Sequence, residues 1–93
     1  MSQAADVIKH GNRNSEPFER QKLHKSIVAV CLSVRTPRGQ AETTAHSVCD
    51  EVVAWLQNKD EVTSQDIRII TAKRLKRFQP EAAYLYEQHN III

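Results

Sequence analysis

Ninety-three residues, 41% of them apolar, leave room for one globular domain and rule out both a second core and a disordered chain. The net charge of +2 makes no electrostatic case for a polyanionic partner, and no apolar run approaches the ~20 residues of a membrane span. With no signal-peptide pattern at the N-terminus, the sequence predicts a cytoplasmic domain with no membrane partner.

Residues 1–5 are small or polar and read as a loose terminus. Val7-Ile8-Lys9-His10-Gly11-Asn12-Arg13 then predicts a tight β-hairpin, bounded at 6–18. Two β-branched residues precede Gly11-Asn12, a pair suited to a two-residue turn because glycine takes positive φ cheaply at the first turn position. Glu16-Pro17-Phe18-Glu19-Arg20-Gln21-Lys22-Leu23 runs from the return strand straight into a helix. Lys9 on the hairpin and Lys22 on the first helical turn can converge on one anion, and the helix N-terminus adds unpaired amide donors. This unit predicts a phosphate site.

Four helices are predicted over 19–90. In the first, Leu23, Ile27, Val30, Cys31 and Val34 recur at helical spacing, and Thr36-Pro37-Arg38-Gly39 ends it in a loop. The second, from about Gln40 to Gln57, buries Ala41, Ala45, Val48, Cys49, Val52 and Leu56, with Val53 and Trp55 broadening the face. Residues 58–62 read as a polar connection. Thr63 with Asp66 resembles a capping box, with Ser64 as the other candidate cap, and Ile67, Ile70, Thr71, Leu75 and Phe78 form the third apolar face. Gln79-Pro80 breaks that helix and starts the fourth, which Ala82, Ala83, Leu85, Tyr86 and His89 line. Ile91-Ile92-Ile93, the 91–93 tail, favours a short third strand or an apolar tail. The fold class is therefore α+β: an N-terminal β-hairpin laid over a four-helix bundle, since two strands cannot stand alone in water.

Cys31 and Cys49 fall on buried helix faces and read as reduced thiols. No Cys-x-x-Cys or clustered Cys/His spacing supports a zinc site, and His10, His24, His46 and His89 do not supply one. Activated serine or cysteine arrangements, paired catalytic carboxylates and a Walker-type glycine loop are all absent, which argues against an enzyme. Lys73-Arg74-Leu75-Lys76-Arg77 invites a nucleic-acid reading. Without interleaved aromatics, its simpler reading is a solvated helix end whose cations suit the C-terminal dipole.

Val-x-Lys, a hairpin turn, Glu-Pro-Phe-Glu-Arg-x-Lys-Leu, a Thr-Ser-x-Asp-Ile helix start and a Pro-Glu-Ala-x-Tyr finish together resemble the ATP-cone domain over residues 6–90. That module stands at the N-terminus of many ribonucleotide reductase large subunits and in the zinc-containing repressor of reductase genes. The resemblance implies allosteric binding of ATP or dATP, with Mg²⁺ sharing the charge and no chemistry on the nucleotide. It places Lys9 and Lys22 on phosphate, Val7 along the base or sugar, and Glu16 and Glu19 at ligand-contacting positions. Ser64 and Arg68 fall at the start of the third helix, where some members add contacts. His10 occupies the position of the family's usual arginine, so phosphate charge there requires a protonated histidine or Arg13 as a substitute. Gly11-Asn12 replaces the usual Asp-Gly turn, and the return strand reads one residue longer.

A reductase barrel does not fit in this length, and the repressor's zinc-ribbon cysteines are missing, so the expected protein is an excised domain or a module acting in trans. Its expected partners are an adenine nucleotide and a protein, either ribonucleotide reductase or a relative of it, or a second copy of itself. The alternative is an interaction module that has kept the cone fold, lost its nucleotide and turned to protein or nucleic acid.

Overall fold

In the computed structural model, residues 6–8 and 15–88 are described. The chain runs β1 (Asp6–Ile8), β2 (Ser15–Pro17), α1 (Arg20–Ser33), α2 (Arg38–Leu56), β3 (Glu61–Thr63), α3 (Ser64–Leu75) and α4 (Pro80–Gln88). The α+β prediction holds: a small sheet at the N-terminal end and four helices. α1 packs on α2 and α4, and α3 packs on α2 and α4, so each helix sets its apolar stripe against two others. Leu23, Ile27, Cys31, Val48, Cys49, Val52, Ile67 and Leu75 lose essentially all contact with water. Phe18 closes the core where β2 hands over to α1.

The third strand differs from expectation. It is Glu61–Thr63, within and just after the segment read as a polar connection, whereas Ile91–Ile93 lie outside the described residues. The sheet order is β2-β1-β3, so the first strand of the chain is the central one. β1 pairs antiparallel with β2, Val7 opposite Glu16, and parallel with β3, Val7 opposite Val62. Three residues with one inward side chain, Val62, carry too little alternation to register as a strand in sequence. β1 supplies the missing information, because its second edge needs partners for its backbone groups. The ladder continues past the strand ends, with the Asp6 amide donating to the Asp60 carbonyl at 3.1 Å.

Two helix boundaries also shift. α2 begins at Arg38, directly after Pro37, so Arg38 and Gly39 belong to a helix and not to the loop. The turn that ends α1 is made instead by Arg35, in the left-handed region at φ 67°. The Arg35 amide donates to Leu32 O at 2.9 Å and the Thr36 amide to Cys31 O at 3.0 Å, the paired bonds of a Schellman motif. At the other boundary α3 stops at Leu75, and Phe78 lies beyond it in a tight turn, 39% exposed. Once the 3.6-residue period ends, Phe78 no longer follows Ile67, Thr71 and Leu75 into the core.

Candidate functional site

Directly opposed residues of a sheet point to the same face, so Glu16, Val7 and Val62 form one row. Val7 and Val62 are buried against the helices, while Glu16, on the edge strand, is half-exposed. Its carboxylate Oε1 lies 3.9 Å from Lys22 Nζ on α1. The hairpin edge and the first turn of α1 therefore meet through these two side chains, whereas the sequence had paired Lys22 with Lys9, which lies outside the described residues.

The start of α1 is electrostatically unusual. Its cap residue, Glu19, is extended, exposed and makes no side-chain capping bond, and no acidic residue occupies the first turn. Arg20 and Lys22 stand there instead, at the positive end of the helix dipole, where cations are disfavoured. Arg20 is spoken for: it donates to Asp50 Oδ1 at 2.8 Å and to the His46 carbonyl at 3.2 Å, tying α1 to α2. α3 shows the contrasting arrangement, a complete capping box in which the Asp66 amide donates to Thr63 Oγ1 at 3.0 Å and the Thr63 amide to Asp66 Oδ2 at 3.1 Å.

Parallel pairing sets Ile8, the last residue of β1, opposite Thr63, the cap of α3. Ser64 opens α3 and is half-buried, and Arg68 follows one turn later on the same face. The Arg68 charge acts on the hydroxyl of Tyr86 in α4, which lies 2.9 Å from Ser26 Oγ. Ser26 already donates its single proton to the Leu23 carbonyl at 2.8 Å, so Tyr86 is the donor between the two hydroxyls. Burial pushes the Tyr86 phenol up to about 12, with the Arg68 charge pulling the other way. Ser26 on α1, Tyr86 on α4 and the charge of Arg68 on α3 thus form a polar group among the helices.

Of the residues singled out in sequence, Val7, Glu16 and Lys22 are thus brought together, whereas Ser64 and Arg68 stand at the start of α3, with the Arg68 charge acting on Tyr86. Glu19 is placed at the helix start with its side chain in solvent. Lys9 and His10 follow β1 and lie outside the described residues. Arg20 and Ser26 were missed, and Tyr86 was read only as a residue lining the fourth helix. A serine inside the Leu23–Ile27–Val30 stripe was the available signal, since a buried hydroxyl requires a partner and a buried tyrosine requires one too.

The arrangement offers cations at a positive helix end for an anion, and a carboxylate for hydroxyl or amino donors. Cys31 and Cys49 are buried, which raises both thiols, Cys49 to about 11. Among the described residues no cluster of three or more histidine, cysteine or acidic side chains is placed to hold a metal.

The family model described as the ATP cone domain matches residues 6–88, beginning at β1 and ending at the last residue of α4. The chain belongs to the ATP cone family. ATP cones are nucleotide-binding regulatory domains. No curated protein matches the chain. The match takes in the whole hairpin-to-α1 unit of this cone, and with it the α3 start and Tyr86.

Proposed function

We propose that this cone is a non-catalytic allosteric domain that binds ATP or dATP at the junction of hairpin, α1 and α3. Lys22, with Lys9 and His10 from the hairpin, would hold the phosphates, and Mg²⁺ would accompany them as the nucleotide's own counterion. Glu16 and Glu19 are the acceptors for ribose hydroxyls or the base amine, and Val7 gives the apolar surface beneath. Ser64 and Arg68 complete the far side. Binding would be read by a protein partner, a reductase or a relative, or by a second copy.

One observation carries the reading: α1 begins without a side-chain cap and with cations in its first turn. That start is poor for an isolated helix and good for an anion, because bound phosphate supplies the negative charge the first turn lacks. The deciding experiment is calorimetric titration with ATP and with dATP, both with Mg²⁺. Saturable binding that Lys9→Ala and Lys22→Ala abolish is the expected result, and the two affinities identify the signal. No heat and no thermal stabilisation at about millimolar nucleotide sinks the proposal. That outcome leaves the second reading, a cone that has lost its nucleotide, which His10 at the family's arginine position favours.

A further inference from the structure

α1 and α3 are fixed at their starts in opposite ways. In α3 the capping box bonds the helix's own backbone, the Asp66 amide being held by Thr63 Oγ1 at 3.0 Å. In α1 the first helical bond runs from the Leu23 amide to the Glu19 carbonyl at 3.3 Å, and no side chain caps the helix. Among the described residues, the amides of Arg20, Gln21 and Lys22 therefore have no acceptor. Three open donors keep a common direction only if something other than a cap fixes the first turn.

Arg20 fixes it from outside. Its guanidinium crosses to α2, where Nη2 donates to Asp50 Oδ1 at 2.8 Å and to the His46 carbonyl at 3.2 Å, and lies 3.4 Å from His46 Nδ1. His46 Nε2 stands 3.6 Å from Asp50 Oδ2, so the two α2 residues brace each other one turn apart. Phe18, buried just ahead of the helix, anchors the chain that leads into it. Arg20 and Asp50 are 36% and 59% exposed, a setting in which an ion pair adds little stability. What the contact supplies is direction, because three acceptors around one nitrogen leave the side chain few other places to go. A capping side chain would also fix the start, but only by occupying the donors that a ligand needs.

We infer that Arg20 and Asp50 are positioning residues for the nucleotide: their bond aims the open amides of α1 at the phosphates while leaving those amides free. Arg20 is then not itself a phosphate ligand, since Asp50 takes its charge. The inference rests on the nucleotide reading above, and charge alone predicts the opposite result. Removing the Asp50 carboxylate takes away an anion and frees a cation, so a purely electrostatic or direct role of Arg20 makes Asp50→Ala bind ATP more tightly. Calorimetry is expected to show Asp50→Ala weakening ATP binding about tenfold, Arg20→Ala by a similar factor, and the double variant no further, because both break one contact. Asp50→Asn keeps the acceptor oxygen and should stay within about threefold of wild type. A nucleotide-free measurement separates the two readings. By NMR relaxation the amides of residues 20–22 should be rigid in the wild type, with an order parameter of about 0.85, and should fall below about 0.6 in Asp50→Ala while core amides and melting temperature hold. A wild type that takes no nucleotide yet shows this fall overturns the binding site and upholds the clamp on α1. Tighter or unchanged ATP binding in Asp50→Ala, additive losses in the double variant, or first-turn amides that stay rigid overturn the inference.

Discussion

Lys22 occupies a position that costs the free protein something. Its ammonium faces the positive end of α1, an effect of about 0.3–1 kcal/mol, and its pairing with Glu16 at 3.9 Å is half-exposed and returns no more than that. The two nearly cancel. Lys22→Ala should therefore leave the melting temperature of the unliganded protein almost unchanged while lowering nucleotide affinity about tenfold or more, the loss of one charge-assisted phosphate contact. Calorimetry and thermal unfolding of the same variant check both halves. A large drop in stability would make Lys22 a structural residue and remove it from the site. Arg20, one turn-neighbour away, is the opposite case, since its short bonds to Asp50 and the His46 carbonyl give it a structural role that Lys22 lacks.

At the scale of elements, caps decide where helices begin and end. α3 starts on a reciprocal capping box, so Thr63→Ala should cost about 0.5–2 kcal/mol in chemical denaturation, with little change in the denaturant dependence. α1 ends on a Schellman motif whose left-handed position holds arginine, where a Cβ is disfavoured. Arg35→Gly should accordingly raise stability by about 0.5–1 kcal/mol, the relief of strain exceeding the added freedom of the unfolded chain. The same measurement distinguishes the two signs. β3 shows how an element can exist without its own propensity: Glu61-Val62-Thr63 is a strand because β1 has an open edge beside it and α3 must start immediately after it.

The whole molecule responds to pH through its buried acids. Burial raises the Cys49 thiol from 9.0 to about 11 and the Tyr86 phenol from 10.0 to about 12, and raises Cys31 as well. Between those values the folded protein keeps protons that the unfolded chain has released, so stability falls as pH rises. The contribution is intact below about pH 9 and is lost progressively as pH climbs to about 12. Denaturation midpoints measured from neutral to alkaline pH should decline across this window, and Tyr86→Phe should flatten its upper part. The thiols should in turn resist alkylation at neutral pH until the protein unfolds, since both are buried and protonated.

The sequence by itself determined the helix count, the buried stripes, the capping box and the family, because each depends on local periodicity or on a compact motif. Ala41, Ala45, Val48, Cys49, Val52 and Leu56 were legible as one face of α2, and all are buried. The nearness of the hairpin to the start of α1 was legible because a hairpin and the helix that directly follows it are close in any fold, but the Glu16–Lys22 pair itself was not. Tertiary structure decided what depends on distant partners. β3 exists because a strand more than fifty positions earlier presents its edge to it. Arg74 and Arg77 differ from Lys73 and Lys76 only through Glu51 on another helix. The Ser26–Tyr86 bond joins residues sixty apart, and no local pattern encodes a hydroxyl's partner at that separation. Local physics reads the backbone's own preferences, whereas pairing across the chain is settled only when burial forces each polar group to find an acceptor or donor.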